Sequence, residues 1–343
     1  MHRRVPFLPM RQVRTSTEHS LRAFVVVILA VGLLSVPDAG NGQPPGRVYR
    51  IGLLHRGAGP LPPLDAAFQQ GLRELGYIVG QNVIIDRRYA RGDVSRLHEL
   101  AAQLARVGVE LIFAVGDEAI DAARQATSRI PIIMVACDAV EAGLVQSLAR
   151  PGGNITGITC ISGDLAAKRL QLLRDAVPRF TRLAVLYNPG DPHAMLEVRK
   201  IRAVARVWQV EVQALEARVS TDLQGRFRTM STQRADVLYV VGDSFTVQHA
   251  KEIVDLAEKV RVPAIYAYRQ FSDVGGLISY GPNLADMFRR VAAYVDKVLK
   301  GTSPGELPIE QPAKFELVIN MKTARSLGVV VPPGLLLQAE VIE

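Results

Sequence analysis

From Val48 onward the chain alternates between short continuous apolar runs and longer stretches in which apolar residues recur every three or four positions. The first kind reads as strand: RIGLLH (Arg50 to His55), NVIIDRRYA, ELIFAVG, PIIMVAC and NITGITC. The second reads as helix. Leu64, Phe68, Leu72 and Leu75 fall on one helical face that Gly76 ends, and Leu97, Leu100, Ala101 and Leu104 form a second stripe. Runs such as IIMVA are apolar on both faces, as in strands covered by helices on both sides of a sheet. The second half continues with a helix from Asp164 to Ala176, strand TRLAVLYNP, a helix from His193 to Val207, strand EVQALEARV, a helix from Asp222, strand DVLYVVGD, a helix from Thr246 to Val260 and strand PAIYAY. A long amphipathic helix from Leu284 to Leu299, a strand FELVIN and a short helix MKTARSLG close the chain.

The pattern is duplicated. VELIFAVGDEAIDAARQATSRIPIIMVACDAVEAGLV is echoed by ADVLYVVGDSFTVQHAKEIVDLAEKVRVPAIYAYRQFSDVGGLISYG, with Gly116 and Gly242 126 residues apart, Pro131 and Pro263 132 apart, Gly143 and Gly276 133 apart, and Arg50 and Arg182 132 apart. Self-similarity at a near-constant offset indicates tandem βαβ lobes. Alternating strands and helices with short connections dictate parallel pairing, so the expected fold is α/β, two doubly wound parallel-sheet lobes. The helix and strand left over after two complete lobes imply that the chain recrosses between them, making a hinge.

Ahead of this, five Arg within residues 1–22 precede a 12-residue apolar run, Ala23 to Leu34, and the small residues of VPDAGNGQPPG. That length suits a signal-peptide core better than a bilayer span. Export is expected, with residues 1–42 removed; an uncleaved anchor is the alternative. Setting aside the first 40 residues, the formal +8 falls to +5, from 36 basic against 31 acidic side chains scattered along the helices, which argues against nucleic-acid binding. The two cysteines, Cys137 and Cys160, end apolar strands; free buried thiols are the preferred reading and one disulfide the alternative. The six His lack metal-ligand spacing, so no metal is expected.

Ligands of open parallel sheets bind beyond the carboxyl ends of the strands. Those ends carry Gly57, Gly116, Asp117, Glu118 and Asp138 in the first lobe and Tyr187, Asn188, Asp243, Ser244, Phe245, Tyr266 and Tyr280 in the second. Carboxylates, an amide, a hydroxyl and aromatic rings suit a small amphipathic solute. The two Gly-Asp turns read equally well as helix N-caps. His193, within YNPGDPH, reads as a solvated turn residue rather than a general base. GxSxG, GxxxxGK[ST], HExxH and a GxGxxG after the first strand are all missing, so neither an enzyme nor a cofactor is expected.

The stretches FQQGLRELGYIVGQNVIIDRRYARGD, VQSLARPGGNITGIT, RFTRLAVLYNP, GGLISYGPNLADMFRRVAAYVDKVLKGTSPGELPIEQPAKFELVIN and MKTARSLGVVVPPGLL resemble the ABC-transporter substrate-binding proteins of the tryptophan/tyrosine-type group, over nearly all of residues 48–338. The resemblance implies the periplasmic-binding-protein type I fold: two Rossmann-like lobes joined by three crossings, residues 48–159 with 281–310, and 160–280 with 311–343. It implies a periplasmic receptor that closes on an amino-acid-like solute and delivers it to a membrane permease with its ATPase. An exported two-lobed transferase is the alternative. Two departures stand out. Gly116 is followed by Asp117-Glu118 where the family usually has Thr or Ser, and Asp138 by Ala139-Val140-Glu141 where it usually reads Pro-Val-Gly. Two extra carboxylates favour a solute with a cationic group.

Overall fold

The computed structural model describes residues 47–343; the stretch read as an export signal lies outside them. The first half forms β1 (Tyr49–His55), α1 (Pro62–Glu74), β2 (Val83–Tyr89), α2 (Ser95–Arg106), β3 (Leu111–Val115), α3 (Asp117–Ala126), β4 (Ile132–Cys137) and β5 (Ile155–Cys160). Its strands make one parallel sheet of order β2-β1-β3-β4-β5. The second half runs α4 (Ser162–Ala176), β6 (Arg182–Tyr187), α5 (Pro192–Val207), β7 (Glu211–Glu216), α6 (Ser220–Thr232), β8 (Val237–Val240), α7 (Ser244–Gln248), α8 (Ala250–Lys259), β9 (Ala264–Tyr266), α9 (Arg269–Asp273) and β10 (Ile278–Pro282). After α10 (Leu284–Leu299) come β11 (Phe315–Asn320), α11 (Met321–Leu327), α12 (Pro333–Leu336) and β12 (Glu340–Ile342).

The second sheet has the order β12-β11-β10-β9-β8-β6-β7. Read from its far edge, β7-β6-β8-β9-β10 repeats the order of the first sheet, so the duplicated pattern is a duplicated topology. Matched hydrogen bonds bear this out. Glu110 accepts the Arg50 amide at the start of β1 (2.6 Å), and Asp236 accepts the Arg182 amide at the start of β6 (2.9 Å). The offset between the copies grows where the single helix α3 is answered by two, α7 and α8, broken at His249, not the one continuous helix expected there.

One strand departs from parallel pairing. β11 lies antiparallel to β10, with Pro282 opposite Phe315. The reason is the route of the chain: it leaves the second sheet at the end of β10, lays α10 against the first sheet, and re-enters the second sheet at the same end. Glu310 bridges to Ile158 on the way back. With the passage from β5 to α4, this makes three crossings between the sheets.

Helix α10 completes the first lobe's core. Met287, Phe288, Val291 and Val295 are buried against α1 and the sheet, and the Phe113 ring lies 4.8 Å from Phe68 and 5.4 Å from Phe288. A side chain at Gly71 would collide with the Arg289 carbonyl, so the close α1–α10 crossing requires glycine there. In the second lobe Arg169 is fully buried, donating to the Tyr280 carbonyl (2.7 Å) and to Glu197 (2.6 Å). Such a charge is tolerated inside only because it is paired and hydrogen-bonded.

The cysteines are bonded, Cys137 to Cys160, which overturns the preference for free thiols. They are register partners at the ends of the adjacent strands β4 and β5, a neighbourhood that strand order decides. No helix among the described residues is long and apolar enough to cross a membrane.

Candidate functional site

The carboxyl ends of both sheets meet. From the first lobe come Arg56 and Gly57 after β1, Gly116, Asp117 and Glu118 at the start of α3, and Cys137 and Asp138 after β4; from the second come Asn188, Asp191 and His193 after β6, Asp243 and Ser244 after β8, and Tyr268 after β9. Gly116 has φ 86°, and a Cβ there would collide with the Ser244 hydroxyl of the facing lobe. The lobes come close here, and the positive φ favours glycine at this turn.

Direct hydrogen bonds join the lobes. Arg56 donates across to the Arg218 carbonyl (3.1 Å) and Asn188 across to Glu118 Oε1 (3.1 Å), the oxygen that also accepts from Arg56 within the first lobe (2.6 Å). His193 Nδ1 pairs with Asp138 Oδ2 (3.1 Å), which also accepts the Gly163 amide (3.0 Å). Asp138 holds φ 49°, a left-handed conformation that Asp tolerates better than most residues. The Tyr268 hydroxyl donates to the Gly242 carbonyl (3.2 Å) and lies 3.4 Å from Cys137 Sγ.

Two cavities flank these contacts. An inner one of about 80 Å³ has apolar walls, including Leu64, Val115, Met287 and Phe288, and a polar end formed by Asp117, Asp191, His193, Asp243, Ser244 and Tyr268. An outer one of about 580 Å³ at the mouth is lined by Arg56, Arg91, Glu118, Asn188, Arg218, Phe245 and His249 among others. The two share no lining residue.

The inner cavity is electrostatically lopsided. Burial, with the nearby Asp191 charge, pushes Asp117 up to about 8. Burial likewise raises Asp191 to about 7 and, against the pull of Arg56, Glu118 to about 7. Asp243 is raised for the same reason, although the Thr246 and Asn188 amides oppose it. Burial alone would lower His193, but hydrogen bonds to Asp138 and Glu197 outweigh it and hold the imidazole well above its ordinary value. His55, buried beside Arg56, falls to about 4 and is neutral. The site therefore holds a surplus of negative charge that it keeps partly protonated.

Gly116, Asp117, Asp243 and Ser244 line the inner cavity, and Glu118, Asn188 and Phe245 line the outer one. Gly57 lies at the β1 end with its amide donated to His55 Nδ1 (3.1 Å), and Asp138 spans the lobes without lining either cavity. Tyr187, Tyr266 and Tyr280 are not brought in. Tyr187 is buried in the second lobe with its hydroxyl on Glu216 (2.9 Å), Tyr266 stacks on Phe271 (4.8 Å), and Tyr280 stacks on Phe315 (6.5 Å). These side chains fall on the face of their strand turned into the lobe, which a strand-end argument does not resolve. His193 corrects its sequence reading: it is 3% exposed and central. Its signal was position, just past the end of β6, together with Asp191, the N-cap that accepts the Ala194 amide (3.1 Å). The α10 wall was missed because its residues arrive from the far end of the chain.

The comparisons with known proteins agree with this geometry. A family model described as ABC transporter substrate binding protein matches residues 64–342. A tyrosine-binding protein of Clostridioides difficile is 30% identical over 271 residues, 78% of this chain and 77% of that one. Among solved structures, an ABC domain in complex with L-Trp from Streptococcus pneumonia superposes with a TM-score of 0.80 at 25% identity, covering 86% of this chain and all of that one. A conserved domain protein from Vibrio cholerae gives 0.81, also at 25% identity and with the same coverage. On the fold, the paired strand-end site and these matches, the chain belongs to the ABC transporter substrate-binding proteins, in the tryptophan/tyrosine-type group with the periplasmic-binding-protein type I fold.

Proposed function

We propose that this substrate-binding protein is the extracytoplasmic receptor of an importer, closing its two lobes (48–159 with 281–310, and 160–280 with 311–343) on a small amphipathic solute that bears a cationic nitrogen. The observation that carries this reading is the inner cavity, where apolar walls from one lobe face an acidic end in which Asp117 and Asp191 are held by burial against their own ionisation. An ammonium group entering there replaces the protons and relieves the repulsion between lobes, giving the closed form the differential affinity a ligand-driven transition needs. An apolar body fills the remainder. The partners are a membrane permease and its ATPase, and residues 1–42 direct export to the periplasm. The relatives named above, a tyrosine-binding protein and an ABC domain in complex with L-Trp, support a solute of amino-acid size.

The test is mass spectrometry of small molecules released when the purified protein is denatured, paired with thermal-shift screening against amines, amino acids and sugar nucleotides. A retained, nitrogen-bearing solute that raises the melting temperature is expected. Turnover of a sugar nucleotide with no solute binding would establish the transferase alternative instead.

A further inference from the structure

We infer that the inner cavity is built for a primary amine carrying an apolar body and no carboxylate, a narrower class than amino acids; the inference rests on the receptor reading above. An α-amino acid needs donors for its carboxylate beside an acceptor for its ammonium, and the charged groups lining the cavity are mostly acidic. Asp117, Asp191 and Asp243 line it, and no Lys or Arg does among the described residues. Its one cationic side chain, His193, pairs with Asp138 at 3.1 Å and faces Glu197 at 3.4 Å, so two carboxylates already meet its charge, although its Nε2 makes no hydrogen bond among the described residues. The arginines of this region, Arg56, Arg91 and Arg218, line only the outer cavity.

Asp117 shows where the amine would sit. It is 5% exposed, it lines the cavity, and its Oδ2 has no hydrogen-bond partner among the described residues. A buried carboxylate oxygen without a donor demands one, and an ammonium brings three donors with the right charge. The same carboxyl group stands at the N-terminus of α3, so it occupies the place where helix amides would otherwise attract a ligand's carboxylate.

The experiment compares matched pairs by isothermal titration at neutral to mildly alkaline pH: tyramine with tyrosine, and tryptamine with tryptophan, on the wild type and on Asp117→Ser. We expect each amine to bind the wild type at least tenfold more tightly than its amino acid, and Asp117→Ser to shrink that ratio at least tenfold by removing the resident carboxylate. The ligand-free melting temperature of Asp117→Ser checks that it folds. Amino acids that bind the wild type as well as their amines overturn the inference while leaving the receptor reading standing. If no member of either pair binds, the inference also falls, and the identity of the solute released on denaturation then decides the receptor reading separately.

Discussion

His193 Nδ1 lies 3.1 Å from Asp138 Oδ2, and the two side chains belong to opposite lobes. The imidazole is also faced by Glu197 from its own helix and by the Asp191 and Asp117 charges, with Arg169 behind Glu197. Breaking a buried pair by removing one partner typically costs about 3–5 kcal/mol. His193→Gln should therefore shift the lobes toward an open arrangement, seen as a larger radius of gyration by small-angle scattering, and weaken solute binding at least tenfold, about 1.4 kcal/mol. The sign in pH follows from the raised pKa: the charged pair is present below that value and is lost as pH rises through it. With solute bound, the wild type should stay closed through neutrality and open on the alkaline side, a transition absent from His193→Gln. Unchanged scattering in the variant would remove His193 as a clasp.

Asp117 and Asp243 hold equivalent places in the two copies and do different work. Asp243 caps α7 through the Thr246 amide and accepts the Asn188 amide, both at 2.8 Å, whereas Asp117 leaves Oδ2 without a partner among the described residues. Asp243→Ala should lower the ligand-free melting temperature, since a lost N-cap alone costs about 0.5–2 kcal/mol. Asp117→Asn should leave it unchanged or raise it. Differential scanning calorimetry of the two variants at one pH settles the contrast, and equal losses would make both residues structural.

These two aspartates also show how far the sequence could be read. Period and offset located the lobes, the strand ends and both Gly-Asp turns, because repeated backbone topology demands repeated turn chemistry. Whether a turn carboxylate caps its helix or points across a cleft depends on the facing lobe, which no local pattern encodes. The same limit hid His193, whose partner Asp138 is 55 residues away, and the cavity wall supplied by Met287 and Phe288 from α10. It also governed the cysteines, whose pairing follows from the adjacency of β4 and β5.

The disulfide closes a loop with a sequence separation of 23, and in the chain-entropy account such a loop contributes about 3 kcal/mol. It also ties the end of β4, which lines the inner cavity and leads into Asp138, to the end of β5. The Cys137→Ala/Cys160→Ala double variant should melt several degrees below the wild type, and a thiol reductant should lower the wild type toward it while leaving the variant unaffected. Maleimide labelling of native, unreduced protein that reached both cysteines would end this expectation.

Stability should fall as pH rises from about 4 to about 8, because the folded protein binds protons there that the unfolded chain has released. The responsible groups are Asp117, raised to about 8, and Asp191 and Glu118, each raised to about 7, from ordinary values of 3.8 and 4.5. For acids raised in the folded state the stabilising protonation is complete at low pH and is lost through this window, with each fully linked proton worth about 1.4 kcal/mol per pH unit. Glu197 works the other way but outside it: held down at about 2, mainly by Arg169 acting against burial, it contributes stability above its ordinary 4.5 and loses it only in acid. His193, raised by Asp138 and Glu197 against its burial, contributes stability that is complete below its ordinary 6.5 and is lost as pH rises from there through its raised value, which steepens the decline; His55, lowered to about 4 by burial and Arg56, opposes it between about 4 and 6.5, one group against three acids. Melting temperatures recorded from pH 5 to pH 8 without solute should therefore decline, and Asp117→Asn should flatten the slope. A bound cation should reverse the trend, since it favours the ionised carboxylates; the melting-temperature increase given by tyramine should be larger at pH 8 than at pH 6. A ligand-free profile that rises between pH 5 and pH 8 would show that these carboxylates are ionised in the folded protein and that its acidic cavity holds no protons for a solute to displace.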